Sequence, residues 1–230
     1  MKVLLSTMFF QELEQAIPFF LQSLEELNPS FDKAIIFDFR LDQKLIEKNL
    51  PKNIAMQKVS LEKDFPKQLA SLRNNVILQA KKEGFDAVLF LSSHIFPPKD
   101  LLGRLLATEK EIIAPVFFTI QNDFCISNAA KIVNENNEDK IEPFFFEELI
   151  PSGIKKVETV VLHSILLRKS VFEKLEFMEF KDSAQEMLFL AKEAKNLGKE
   201  VFVDSSVVCA RFSQNQVVAS YYFSVSNPKT

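Results

Sequence analysis

Ser92, Ser93 and His94 stand together where an apolar run, Asp86 to Leu91, gives way to polar residues and then to Pro97-Pro98. Two hydroxyls and an imidazole can donate and accept hydrogen bonds, and the imidazole can also bind a metal or carry a proton. In an open α/β sheet, ligands sit at the carboxyl ends of strands, so a polar triplet at such an end is the first place to expect one. The chain has two histidines, His94 and His163. Imidazole binds Mn²⁺ or Zn²⁺ but is a poor ligand for Mg²⁺, which prefers oxygen. Asp204 or Cys209 could join the histidines in a metal site, but the spacing matches no metal motif. A lone histidine at a strand end is more often bonded to backbone or water. Four glycines, at 84, 103, 153 and 198, leave no glycine-rich phosphate loop. No Gly-x-Ser-x-Gly elbow points to a hydrolase.

The elements that must position these residues alternate. Apolar runs at Lys2 to Ser6, Lys33 to Phe37, Ile54 to Val59, Asp86 to Leu91 and Glu111 to Phe117 predict strands. Helical spacing predicts helices over Glu12 to Leu27, Leu41 to Asn49, Phe65 to Glu83 and Lys99 to Ala107. Gly84 falls at the C′ position of the third. Such alternation implies βαβ units and a mostly parallel central sheet flanked by helices, an α/β fold. Short irregular strands are expected over Asn122 to Val133, and a polar loop over Asn134 to Glu142. Residues 143 to 153 read as an apolar loop packed over a pocket or at an interface, with Phe144-Phe145-Phe146 as an exposed patch. A strand over Val157 to Leu167 and a short helix over Lys169 to Leu175 come next. A helix over Ser183 to Leu197 follows, opened by a Ser183/Glu186 capping box, and then a strand over Glu200 to Cys209. One domain over residues 1–212 and a polar tail over 213–230, with aromatics at Tyr221-Tyr222-Phe223, complete the chain.

Length and an ordinary apolar share fit one domain with a sizeable core, and the 24 phenylalanines serve as core filler. A net charge of −3 gives no broad basic face, so no nucleic-acid partner is expected. No apolar run approaches a membrane-spanning length, and the N-terminus does not read as a signal peptide. With two cysteines whose spacing suggests no disulfide, a reduced, cytoplasmic protein is expected.

The layout from Arg73 to Pro115 resembles the large inverting family of GT-A glycosyltransferases, which use one nucleotide-sugar domain. Arg73-Asn74 on a helix lies at the family's spacing from the strand-end triplet. A second similar stretch is VETVVLHSILLRKSVFEKL, where Val161 and His163 stand in place of the family's glycines. The resemblance implies a single GT-A-like, Rossmann-like domain. It implies a UDP- or GDP-type nucleotide diphosphate sugar as partner, with an unknown acceptor. The donor nucleotide would be held by Thr7, Asp38, Arg73, Asn74, Ser92, Ser93 and His94. The family's Asp-x-Asp is degenerate here, because Ser92 and His94 replace both aspartates. No cofactor is therefore expected. Mn²⁺ or Mg²⁺ is disfavoured, and His94 is the one candidate ligand. Arg211 stands where some metal-independent relatives place a cation for the diphosphate, a task suited to a permanently charged, bidentate guanidinium. The alternative is a surface arginine at a strand end. The family's catalytic aspartate aligns with Met187, leaving Glu186 as fallback base, although helix capping also explains that residue. Two functions follow: metal-independent transfer of a sugar to an acceptor, or a catalytically degenerate relative that serves as a binding or scaffold module.

Overall fold

The computed structural model describes residues 1–40, 50–121, 124–213 and 216–217. Strand β1 (Val3–Phe9) leads through a short 3₁₀ turn, Gln11–Ala16, into α1 (Ile17–Glu25). The expected single helix is thus two pieces. Pro18 sits in the first turn of α1, where its missing N–H costs nothing. Next come β2 (Lys33–Asp38), β3 (Ile54–Lys58), α2 (Phe65–Glu83), β4 (Ala87–Leu91), β5 (Ile95–Phe96), α3 (Leu101–Ala107) and β6 (Ile112–Val116). The helix expected over 41–49 lies outside the described residues.

The second half adds β7 (Phe118–Gln121), β8 (Phe124–Glu135), β9 (Glu138–Phe145), β10 (Ile154–Val157), β11 (Thr159–Val160) and β12 (Ser164–Arg168). It continues with α4 (Lys169–Phe172), α5 (Ser183–Asn196), β13 (Val201–Val208), β14 (Ala210–Ser213) and β15 (Gln216–Val217). The central sheet runs β10-β13-β6-β12-β4-β1-β2-β3. Its two parallel blocks are β4-β1-β2-β3 and β13-β6, with β12 wedged antiparallel between them and β10 antiparallel at the β13 edge.

Both faces of the sheet are covered, so its strands read as nearly continuous apolar runs. Leu4, Ile35, Val88 and Leu167 face α2 and α5, where Val76, Ile77 and Leu190 meet them. Leu5, Ile36, Leu89 and Leu166 face α1 and α3, where Phe20 and Leu102 meet them. No described helix is long and apolar enough to cross a membrane.

Three expectations are corrected. Residues 134–142 are not a loop: β8 and β9 form a hairpin closed at Asn136-Asn137, with φ of 54° and 67°. Asparagine tolerates this left-handed backbone, which a two-residue type I′ turn needs at both positions. Of the phenylalanine patch, Phe144 and Phe146 pack against the core, and Phe145 stays exposed. The strand expected over 157–167 is broken. Thr159–Val160 pairs with β8 in a small side sheet, and the chain re-forms as β12 in the central sheet. Val161 to His163 is the crossing between the two.

Candidate functional site at the carboxyl ends of β1 and β4

β1 and β4 are parallel neighbours, and β12 begins beside the end of β4. Their ends surround a cavity of about 280 Å³. Thr7 and Met8 reach it from β1, Ser92 and His94 from the end of β4, and Leu162 and His163 from the crossing. Phe65, Leu69 and Arg73 close it from α2. Their spacing of four residues places all three on one helix face.

The triplet is tied down locally. Ser93 is fully buried and donates its hydroxyl to the Met8 carbonyl at 2.6 Å, fixing the two strand ends together. Ser92 Oγ and His94 Nδ1 share a hydrogen bond of 2.9 Å. The Ser92 N–H donates to the His163 carbonyl at 2.7 Å. The two imidazoles meet edge to face, with ring centroids 5.9 Å apart. Burial pushes His94 down to about 3, with His163 and Arg211 adding to the effect, so its ring is neutral at neutral pH. His163 is also lowered, mainly by burial.

The carboxylates are spent elsewhere. Asp38 does not line the cavity. Its side chain is fully buried and grips Arg40 twice, through Nε at 2.8 Å and Nη2 at 2.6 Å. Glu186 is buried and accepts from Arg73 Nη1 at 2.7 Å. It is not part of a capping box with Ser183. The N-cap of α5 is Asp182, which accepts from the Gln185 N–H, and Glu186 is turned inward. Met187 is buried, and its carbonyl accepts from Thr159 Oγ1 at 2.6 Å. Asn74 does not reach the cavity. Its side chain exchanges two hydrogen bonds of 2.8 Å with the backbone of Phe177, locking α2 to the chain before α5.

Arg211 lies on β14, opposite Ile95 of β5 and therefore beside His94. It donates to Thr119 Oγ1 and lies over the Phe117 ring at 5.9 Å. It is held behind the triplet and is not in the cavity wall. Asp204 turns back on Ser206, and Cys209 is buried with its thiol pushed up by burial, so neither joins the histidines. Among the described residues no three His, Cys, Asp or Glu side chains converge. The place where the family pattern would hold a dication offers a hydroxyl already bonded to an imidazole. It offers no carboxylate, which is a poor fit to a hard cation.

Among the described residues, five buried side-chain atoms make no hydrogen bond: Thr7 Oγ1, His94 Nε2, Ser164 Oγ, Glu186 Oε2 and Arg211 Nε. Thr7 and His94 are in the cavity wall, and Ser164 is next to His163. Glu186 is bound to Arg73 of the wall, and Arg211 is beside His94. All five thus gather at one end of the sheet. Sequence reasoning missed the apolar wall of Phe10, Leu13, Phe65 and Leu69. The signal was present for two of these, since Phe65 and Leu69 precede Arg73 by helical spacing.

No family model matches the chain, and no curated protein matches its sequence. Solved structures do resemble it. S. aureus TarS 1-349 in complex with UDP-GlcNAc matches with a TM-score of 0.62 at 17% identity, over 96% of this chain and 62% of that one. The same protein in complex with UDP matches at 0.61 and 18%, over 91% and 59%. A197 from STIV matches at 0.54 and 10%, over 94% and 88%. The chain shares with these structures a GT-A-like fold: one α/β domain on a large, mostly parallel sheet. The chain spans about three fifths of TarS 1-349.

Proposed function

We propose that the chain is a glycosyltransferase-like protein. It holds a UDP- or GDP-type sugar at the β1–β4 cavity and passes the sugar to an acceptor without a divalent metal. The observation that carries this reading is that, of the five unpartnered buried polar atoms among the described residues, Thr7 Oγ1 and His94 Nε2 belong to residues lining one cavity, and the other three belong to neighbours of its lining. Each such group costs about 1–3 kcal/mol when left unmade. Scattered orphans would suggest decay, whereas orphans collected at the ligand-binding end of an α/β sheet suggest groups kept for a ligand. The cavity also suits a nucleotide in its two halves. Phe10 and Phe65, with ring centroids 5.7 Å apart, offer an aromatic wall for a base, while Thr7, His94 and Arg73 offer polar atoms. The likeness to TarS in complex with UDP and UDP-GlcNAc supports the same ligand class.

Titration calorimetry with uridine, UDP and UDP-GlcNAc, in EDTA and in Mn²⁺, tests this. Binding should occur in EDTA and change less than about twofold on adding Mn²⁺. Thr7→Val should weaken it about 3- to 10-fold, the scale of one hydrogen bond. Absence of heat with every nucleoside diphosphate and nucleotide sugar would sink the reading. Mn²⁺-dependent affinity lost in His94→Ala would sink its metal-independence.

A second reading, binding without transfer, is favoured by the capture of Asp38 by Arg40 and of Glu186 by Arg73. Donor binding with no release of UDP under any condition would select it.

A further inference from the structure

We propose that His163 is the catalytic base of this site and that Glu186, clamped by Arg73, is its positioning residue. This rests on the reading of the cavity as a nucleotide-sugar site that performs transfer. The position expected from the resemblance to hold the base carries Met187, which is buried and cannot take a proton. His163 lies in the crossing between β11 and β12 and lines the cavity, and its ring meets that of His94, another lining residue, edge to face. The crossing is fixed, because the His163 carbonyl accepts from the Ser92 N–H at 2.7 Å.

Behind that wall sits Glu186. One of its oxygens is held by Arg73 Nη1 at 2.7 Å, and the other is buried with no partner. Arg73 and His163 line the same cavity, and Glu186 is tied to that lining through Arg73. Glu186 keeps one oxygen uncommitted and acts electrostatically on His163, a residue of the cavity lining, and a buried carboxylate acting on a histidine in a ligand site can serve as its orienting group. The charged groups acting on His163 come from three elements. They are Glu186 of α5, which favours its protonation, and Arg73 of α2 and Arg211 of β14, which oppose it. The His94 ring meets it edge on. Burial outweighs these and leaves His163 neutral at neutral pH, the state a base requires.

In the step itself, the acceptor hydroxyl oxygen bonds to the anomeric carbon. The bond from that carbon to the diphosphate oxygen breaks, and its electron pair leaves with the nucleoside diphosphate. The acceptor proton passes to a ring nitrogen of His163. The imidazolium so formed is stabilised by the Glu186 carboxylate and later returns its proton to water.

The test is UDP release from UDP-GlcNAc with water as acceptor, together with calorimetric affinity for UDP. His163→Gly should slow release by about 10²- to 10⁴-fold. Its UDP affinity should stay within about threefold of wild type, and added imidazole should restore at least about tenfold of the lost rate. The wild-type rate should be flat near neutral pH and fall on the acid side. Glu186→Gln removes the one charge that raises His163, so it should move that acid limb to lower pH as well as lower the plateau. A purely structural glutamate would not shift the limb. If Glu186→Gln does not fold, imidazole rescue of His163→Gly decides alone. Unchanged release in His163→Gly, or a loss that imidazole does not rescue, overturns this assignment while leaving nucleotide binding intact. Wild-type binding without any UDP release overturns it and selects the binding-only reading. Wild-type protein that binds no nucleotide at all removes the underlying reading itself.

Discussion

At the residue scale, the site is governed by which charges are already satisfied. Asp38 reads from sequence as a nucleotide acceptor, but its carboxylate belongs to Arg40, with side chains 0% and 2% exposed. Removing one partner of a buried pair strands the other charge, at a cost of about 3–5 kcal/mol. Asp38→Ala should therefore lower the unfolding free energy in urea by about 3 kcal/mol, the lower end, because other contacts help hold Arg40. Nucleotide affinity of the folded fraction should be little changed. The Arg73–Glu186 pair predicts a different pattern. Arg73→Met alone should cost about 3–5 kcal/mol, and Arg73→Met with Glu186→Leu should recover most of it. A double mutant no more stable than the single would mean that the pair is held by its surroundings and not by its own charge.

At the element scale, the cavity depends on how its walls are anchored. Asn74 ties α2 to Phe177 by two hydrogen bonds, so Asn74→Ala should destabilise by about 1–3 kcal/mol and loosen the helix that carries Phe65, Leu69 and Arg73. Gly103 of α3 touches the Asn28-Pro29 turn. A Cβ there would lie 2.8 Å from Pro29 Cδ and 3.4 Å from the Asn28 carbonyl. Gly103→Ala should therefore cost about 1–3 kcal/mol by overpacking, against the gain that alanine normally brings to a helix. A melting temperature equal to wild type would show that the Pro29 turn can move aside. In the β8–β9 hairpin, Asn137→Gly should be neutral or stabilising by a few tenths of a kcal/mol, since φ is 67° there.

At the scale of the whole molecule, burying two imidazoles links stability to pH. His94 is lowered to about 3 in the folded protein, against about 6.5 when exposed. Between those values the unfolded chain binds the proton and the folded one does not. The stability is thus complete above pH 6.5 and is lost as pH falls through that window, at about 1.4 kcal/mol per pH unit for His94. His163 adds to the loss in the same direction. Unfolding free energy measured from pH 7.5 to 5 should fall, and His94→Gln should flatten the slope. An unchanged slope in His94→Gln would mean that the ring is protonated in the folded state.

The sequence by itself determined the strands β1, β2, β3, β4 and β6 and the α2 span, Phe65–Glu83, with its Gly84 terminus. It also placed Ser92 to His94 at the end of a central strand. These follow from local periodicity and from backbone preferences of single residues, which do not depend on distant partners. Only the tertiary structure decided the state of the charges. Arg40 is two residues from Asp38, yet only the fold buries both and closes that pair, and Arg73 meets Glu186 across 113 positions of chain. It also decided that 157–167 is broken at His163, because that break exists only where one sheet hands the chain to another. Periodicity reports which face of an element is buried. It carries no information about which buried polar atom finds a partner, and that is set by long-range packing.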